Sequence, residues 1–138
     1  MPALDHCHEN VVRALVKAGW IVAPKPFSLK IERGHTLFID LAVSRVETSG
    51  EQVILLVEVK CFPADSADTS ELYTALGQYI IYRSLLNQQR IKFDLYLAVP
   101  TEAYQNIFTR MALNTIAENQ IKMVVVDIER EVVIQWLI

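Results

Sequence analysis

The clearest pattern in the chain is a run of apolar residues that ends in two charged ones. Residues 53–57 are all apolar, which is typical of a central strand covered on both faces of a sheet. The run continues as Glu58-Val59-Lys60. Because strand side chains alternate between faces, Glu58 and Lys60 are predicted to emerge on the same side. Burying ionised groups costs several kcal/mol each unless they are paired or hold a metal, so this strand end is a candidate site.

A second strand-like run, residues 36–43, carries one acidic residue, Asp40. The turn-rich segment 47–50 separates it from the first run. An antiparallel hairpin of strands 36–43 and 52–60 with its turn at residue 49 places Asp40 opposite Glu58. We therefore predict that Asp40, Glu58 and Lys60 converge.

The rest of the pattern predicts three helices and five more strands around this hairpin. The helices are expected at 5–17, 71–86 and 101–117. The strands are expected at 20–23, 27–31, 93–99, 123–127 and 132–136, with 27–31 and the last one at sheet edges. This order predicts a single α/β domain over residues 1–138, in which helices flank one mixed β-sheet.

Composition adds an expectation about partners and location. The chain is 52% hydrophobic with a mean hydropathy of +0.25, but no apolar run is long enough to span a bilayer. The apolar surplus therefore predicts an oligomer or partner interface, built from the outer strands and helix 101–117. Two cysteines, Cys7 and Cys61, are too few for a disulfide framework, so a reducing cytoplasm is expected.

Charge is unevenly distributed along the chain. The net charge is −3, with +2 in residues 1–45 and −5 in residues 46–138. A protein that grips DNA alone usually shows a basic face, which this distribution does not predict. Any nucleic-acid role is therefore expected to depend on a metal, a second subunit or a partner.

Two carboxylates and a lysine on one face have a known chemical use. Asp40 and Glu58 supply the hard oxygens that hold Mg²⁺ or Mn²⁺, and Lys60 can stabilise developing negative charge on a phosphodiester. The alternative is a Glu58–Lys60 ion pair at a strand end beside an unrelated aspartate. The cluster His6-Cys7-His8-Glu9 suggests zinc, but adjacent ligands do not converge on one helix face. A solvated helix start is favoured there, although Asp5 or Glu9 could extend a metal site.

The next helix adds a further element, because Gln78 and Tyr82 lie four residues apart on one face. A helix, an Asp-bearing strand, a strand ending in Glu-x-Lys and a further helix resemble the PD-(D/E)XK nuclease core. Asp40, Glu58 and Lys60 match that motif, with Ile39 in the place of its proline. Gln78-x-x-x-Tyr82 is similar to the Q-x-x-x-Y element of RecB-type members. The resemblance implies a restriction-endonuclease-like core with Gln78 and Tyr82 beside the active site.

Segments along nearly the whole chain resemble one narrower family, the XisH family of fdxN-element excision controlling factors. They include Met1-Pro2-Ala3, Asp5, His8, Gly19-Trp20, Asp40-Leu41, Val57-Glu58-Val59-Lys60, Ala75-Leu76-Gly77-Gln78-Tyr79, Tyr96-Leu97-Ala98-Val99-Pro100 and Val133-Ile134-Gln135-Trp136. The resemblance implies a role in programmed excision of a DNA element during heterocyst differentiation in cyanobacteria. It also implies DNA, a separate recombinase and an XisI-like protein as partners. We identify no recombinase serine or tyrosine motif in the chain.

Two interpretations follow for function. In the first, the chain is a Mg²⁺-dependent DNA endonuclease in which Asp40 and Glu58 bind metal, Lys60 stabilises charge, and Gln78 and Tyr82 orient the reacting groups. In the second, it is a non-catalytic control module that keeps the nuclease fold and binds a protein partner or DNA. The intact trio favours the first interpretation, whereas the acidic balance and the apolar surplus favour the second.

Overall fold

The computed structural model describes residues 6–62 and 69–138, which form four α-helices, one short 3-10 helix (Glu32–Gly34) and eight strands. The helices are α1 (His8–Lys17), α2 (Thr69–Gln88), α3 (Thr101–Asn106) and α4 (Arg110–Glu118). The strands are β1 (Ile21–Val22), β2 (Phe27–Lys30), β3 (Thr36–Ile39), β4 (Leu41–Val46), β5 (Gln52–Val59), β6 (Asp94–Pro100), β7 (Lys122–Asp127) and β8 (Val132–Leu137).

Six of the strands form one mixed sheet in the order β1-β4-β5-β6-β7-β8. The three central strands β5, β6 and β7 are parallel to one another, and the outer neighbours pair antiparallel. Strand β7 is buried from Met123 to Val126, as its continuous apolar run predicts. Strand β8 lies at an edge, as expected for the last strand. The predicted α/β class with helices on the faces of a mixed sheet is confirmed.

The hairpin β4–β5 has the predicted register. Leu41 pairs with Val57 and Val46 pairs with Gln52, so the residue before Leu41 lies opposite the residue after Val57. Gly50 closes the turn with a φ of 86°, a conformation that favours glycine, and its N–H donates to the Glu47 carbonyl at 2.8 Å. The turn chemistry and the two-sided apolar pattern of β5 together fix which residues face each other.

The strand predicted at 36–43 is divided at Asp40, and this corrects the single-sheet prediction. Residues before Asp40 form β3, which pairs only with β2 in a separate two-stranded sheet. Residues after it form β4 of the main sheet. The Asp40 backbone N–H donates to a side chain instead of to a strand partner, so the chain can leave one sheet and enter the other.

Two clusters of apolar side chains fill the two faces of the main sheet. The first cluster contains residues of α2, α3 and α4 packed against Leu56 and Leu97, together with Leu29 and Ile39 of the small sheet. The second contains residues of α1 packed against Val57. Alternate residues of β5 therefore enter opposite clusters, which is how a central strand buries both of its faces.

Helix 101–117 is wrong as a continuous element, because residues 107–109 interrupt it between α3 and α4. Thr109 begins α4, and its hydroxyl oxygen accepts a hydrogen bond from the Ala112 N–H at 3.4 Å. The other predicted bounds are close to those observed. Asp5, the predicted cap of the first helix, lies outside the described residues. None of the helices in the described part of the chain has the length and apolar character needed to cross a membrane.

The expectation for the cysteines also needs correction. Cys7 and Cys61 form a disulfide, with their Cα atoms 5.8 Å apart and both side chains buried. The Cys7 N–H donates to the Cys61 sulfur at 3.0 Å. The link joins the start of α1 to the residue after Lys60, across 54 positions of sequence. Two cysteines were too few to indicate a framework, but folding brings them together.

Candidate active site at the end of strand β5

The carboxylates of Asp40 and Glu58 are held by reciprocal hydrogen bonds between β5 and the bend that precedes β4. The Asp40 N–H donates to Glu58 Oε1 at 3.2 Å, and the Val59 N–H donates to Asp40 Oδ2 at 2.8 Å. Each acidic side chain is thus fixed by the backbone of the other strand. Hydrogen bonds to ionised groups are stronger than those between neutral groups, so this arrangement stabilises two neighbouring carboxylates. The predicted convergence of Asp40 and Glu58 is confirmed.

Burial makes Glu58 unusual among the acidic residues. Its side chain is 7% exposed, and Asp40 is half-buried. Glu58 and His8 are the two buried polar or charged residues in the part of the chain that the structure describes. Removing a carboxylate from water is costly unless its interactions compensate. The hydrogen bond from the Asp40 N–H is one interaction that offsets this cost at Glu58.

Lys60 extends the line of β5 toward the same end of the sheet. Its backbone N–H donates to the Ala98 carbonyl at 3.0 Å, and its side chain is half-buried. Lys60 forms no salt bridge with any residue that the structure describes. The alternative of a simple Glu58–Lys60 ion pair is therefore not what the structure shows, and Asp40 is bonded to β5 instead of being unrelated to it.

Helix α2 brings Tyr82 to the two carboxylates. Tyr82 is 9% exposed and belongs to the cluster under α2. Burial raises the pKa of the Tyr82 hydroxyl above its ordinary value of 10.0, and the charges of Glu58 and Asp40 raise that pKa further. Both acidic groups therefore act on one phenol, which stays protonated and able to donate a hydrogen bond at neutral pH.

Gln78 lies one turn before Tyr82 on α2 and is half-buried. Its side-chain oxygen Oε1 is buried and has no hydrogen-bond partner among residues 6–62 and 69–138. A buried amide oxygen without a partner is uncommon and costs about 1–3 kcal/mol, so it calls for an explanation. No hydrogen bond joins the Gln78 Oε1 atom to another described residue, Asp40 and Glu58 included. The structure thus places Gln78 on the predicted helix without showing its partner.

His8 lies near Asp40, which was not predicted from the sequence. His8 is 8% exposed, and its Nδ1 has no hydrogen-bond partner in the described parts of the chain. His8, Glu9 and Asp40 line one cleft of about 690 Å³ between α1 and the segment that follows it. The signal was present, because His8 precedes Val11 and Leu15 at helical spacing and so belongs to the buried face of α1. The earlier suggestion that Glu9 lies near the metal site stays a prediction.

The raised pKa of the tyrosine hydroxyls gives a testable pH dependence. Burial raises the pKa of Tyr79, Tyr82 and Tyr96, so the folded chain retains protons that the unfolded chain releases above about pH 10. The contribution of these tyrosines to the free energy of unfolding should therefore be fully present below about pH 10, and it should be lost as the pH rises further. Tyr82→Phe removes one such group, and urea unfolding as a function of pH should show a shallower alkaline loss in this variant. Parallel curves for the variant and the wild type would contradict the assignment.

Comparisons with known proteins agree on one family. A family model described as "XisH protein" matches residues 1–134. The fold is similar to that of an XisH family protein from Nostoc punctiforme, at 39% identity and a TM-score of 0.80, over 97% of this chain and 100% of that one. It is also similar to an fdxN element excision controlling factor protein from Anabaena variabilis, at 39% identity and a TM-score of 0.79, over 95% and 97% of the two chains. The curated proteins gave no match.

The family model spans nearly the whole chain, and the two solved structures share its architecture from end to end. Both observations agree with the sequence segments that resemble the same proteins. The chain belongs to the XisH protein family.

Proposed function

We propose that the chain is a metal-dependent phosphodiesterase of the PD-(D/E)XK type that acts on DNA during programmed excision of a DNA element. The observation that carries the proposal is the reciprocal hydrogen bonding that fixes the carboxylates of Asp40 and Glu58 next to each other. Neighbouring carboxylates at a strand end, one of them buried, are also typical of sites that bind a metal ion. The proposed cleavage is therefore the simplest use of this arrangement.

The residues present suit Mg²⁺ or Mn²⁺. Asp40 and Glu58 offer hard carboxylate oxygens, and Mg²⁺ in phosphoryl-transfer sites takes one or two carboxylates plus waters. Among the described residues, no group of three or more His, Cys, Asp and Glu side chains is placed so that it could hold a metal ion. When bound, the ion would polarise the phosphodiester and make its water more acidic.

Other residues of the chain would position the reacting groups. Lys60, which is not engaged in a salt bridge within the described residues, would stabilise negative charge that develops on the phosphate. The Tyr82 hydroxyl, which feels the charges of the two carboxylates, would donate a hydrogen bond near them. Gln78 would use its buried Oε1 to orient the substrate or Lys60. The proposed catalytic set is Asp40, Glu58, Lys60, Gln78 and Tyr82.

The biological setting of this proposal follows the relatives. One similar structure is that of an fdxN element excision controlling factor protein, and this supports an excision-control role for the chain. That this role belongs to heterocyst differentiation, and that the chain acts in the cytoplasm, stay predictions. The test is DNA cleavage by the purified chain in Mg²⁺ and in EDTA, alone and with an XisI-like partner. Cleavage that requires the metal supports the proposal. If DNA stays intact in Mg²⁺ both with and without the partner, the proposed phosphodiesterase activity is contradicted.

A second candidate is a non-catalytic control module that uses the same fold to bind a partner. It is favoured by large apolar side chains at the surface, among them Val16, Ile21, Val46, Tyr73, Ile81, Met111 and Ile134. Cleavage-dead preparations that still bind the partner would favour this candidate.

The exposed apolar side chains also predict assembly. We expect a homodimer or a complex with an XisI-like protein that buries more than about 1,000 Å². Light scattering of the purified chain should give a mass above that of a 15.7 kDa monomer, or the partner should co-purify. A monomer at high concentration together with no co-purification would contradict the prediction.

A further inference from the structure

The small sheet formed by β2 and β3 presents one apolar face and one polar face. Leu29 and Ile39 point into the cluster under α2 and are 1% and 0% exposed. The residues between them along each strand point to the opposite face, where Ser28 pairs with Phe38 and Lys30 pairs with Thr36. Phe38 is half-buried and belongs to neither core cluster of the described residues. This outer face thus combines hydroxyls, an aromatic ring and a cation.

The same sheet concentrates positive charge. Residues 25–36 contain Lys25, Lys30 and Arg33 against one acidic residue, Glu32, which gives +2. All three cations are exposed, and Arg33 lies in the turn between the strands with a φ of 64°. None of the three takes part in a salt bridge with a described residue. Their charge is therefore uncompensated locally.

A distant segment adds two more cations beside this sheet. The Gln89 side-chain amide donates to the Lys30 carbonyl at 2.6 Å, and the rings of Phe27 and Phe93 meet edge-on at 6.2 Å. These contacts hold the turn after α2 against β2. Arg90 and Lys92 lie in that turn, and both are exposed. Neither pairs with a carboxylate within the described residues.

Together, residues 25–36 and 90–92 carry five cations and one acidic residue, or +4. Because the whole chain has a net charge of −3, the remaining residues sum to −7. A polyanion would be attracted to this surface and repelled by the rest of the protein. This surface could not be predicted from the sequence, because its two segments are separated by more than 50 positions.

We propose that this basic ribbon surface, formed by Lys30, Arg33, Arg90 and Lys92, binds the phosphate backbone of a DNA strand. Lysine and arginine side chains with neighbouring hydroxyls are typical phosphate contacts.

The surface lies close in sequence to Asp40. Its link to cleavage rests on the proposed function, in which Asp40 and Glu58 form the site. Strand β3 runs from Thr36 directly into Asp40, four residues away, which is about 13 Å along a strand. The small sheet is therefore joined directly to the proposed site.

The test is binding of a short labelled DNA, duplex and single-stranded, by fluorescence anisotropy in EDTA at several salt concentrations. Two double variants remove the cations, Lys30→Ala/Arg33→Ala and Arg90→Ala/Lys92→Ala. The matched control, Lys17→Ala/Arg130→Ala, removes the same charge near the β7–β8 turn, where Lys17 reaches the Arg130 carbonyl at 3.1 Å. All six residues are exposed, and circular dichroism checks that each variant is folded.

We expect each ribbon variant to bind on the order of tenfold more weakly than the control variant. For duplex DNA, the slope of the logarithm of the binding constant against the logarithm of the salt concentration should become shallower. The change should be about 0.9 for each phosphate contact removed. Equal weakening in the control would overturn the proposal, since net charge alone would then explain binding. Ribbon variants that keep full DNA affinity but lose a protein partner would also overturn it.

Binding in EDTA separates this proposal from the proposed catalysis. Ribbon-dependent binding with no cleavage in Mg²⁺ would contradict the enzymatic function and support the DNA surface. Metal-dependent cleavage, together with DNA affinity that is unchanged in the ribbon variants, would support the enzymatic function and contradict the DNA surface.

Discussion

Glu58→Gln should abolish metal-dependent DNA cleavage while leaving the fold intact. The amide of glutamine retains an oxygen that can accept the hydrogen bond from the Asp40 N–H, so the link between the strands can persist. What the substitution removes is a negative charge and a metal ligand. Loss of a metal-ligand contribution of several kcal/mol corresponds to a rate about 10³-fold lower or more. Asp40→Asn should behave in the same way, since its amide oxygen can still accept from the Val59 N–H.

Stability distinguishes this result from simple unfolding. Glu58 is 7% exposed, so replacing its charge by a neutral amide removes a desolvation cost. We therefore expect Glu58→Gln to unfold at the same temperature as the wild type or higher. Glu51→Gln, in the exposed turn before β5, is the control and should keep full activity. Single-turnover cleavage rates with thermal unfolding of the same preparations measure both effects, and a Glu58→Gln variant that cleaves like the control would contradict the site.

Reducing the Cys7–Cys61 disulfide should cause the largest loss of stability. The bond closes a loop across 54 positions, and the chain-entropy model gives a stabilisation of up to about 4 kcal/mol for a loop of that size. For a domain of 138 residues this corresponds to a decrease in Tm of about 10–15 °C. The effect arises because the reduced, unfolded chain regains freedom that the cross-link had removed.

The measurement is thermal unfolding with and without a dithiol reductant, together with a count of free thiols in the denatured protein. The variant Cys7→Ser/Cys61→Ser is the control and should unfold near the reduced wild type with no response to reductant. Two titratable thiols in protein purified without reductant, with no change in Tm on reduction, would contradict the bond. Because Cys61 follows Lys60 directly, cleavage assays should be run in both redox states.

The register of the hairpin could be predicted from the sequence because two local signals agree. The apolar run before Glu58 requires a strand buried on both faces, and Gly50 supplies the φ of 86° at the turn. A shift of one residue would move every side chain of β5 to the wrong face, so few registers are possible. The convergence of Asp40 with Glu58 follows from that register.

The break at Asp40 could not be predicted in the same way. Residues on both sides of it are apolar and suit a strand, and they do belong to strands, but to two different sheets. The point at which the chain passes from one sheet to the other depends on a hydrogen bond to the side chain of Glu58, which lies 18 positions away. The interruption at residues 107–109 has a local signal that was missed, because Thr109 is a good helix cap. Ile107 and Phe108 maintain helical spacing through it and conceal the break.

Contacts between distant segments account for the remaining surprises. The disulfide joins residues 54 positions apart, and neither cysteine has a neighbour in sequence that indicates a bond. The basic ribbon surface depends on Gln89 reaching the Lys30 carbonyl, so a charge count along the chain gives an acidic protein without a basic face. His8 was assigned to a solvated helix start, although its spacing with Val11 and Leu15 places it on the buried face.

The central claim is that Asp40 and Glu58 form one metal site, and crystals of the wild-type protein grown with Mn²⁺ test it most directly. Anomalous diffraction should reveal an ion in contact with oxygens of both carboxylates, at about the 2.1 Å distance of Mg²⁺ ligands. The same peak should be lost in Glu58→Gln crystals. An ion bound elsewhere, or no ion between the two carboxylates of a protein that cleaves DNA, would contradict the account.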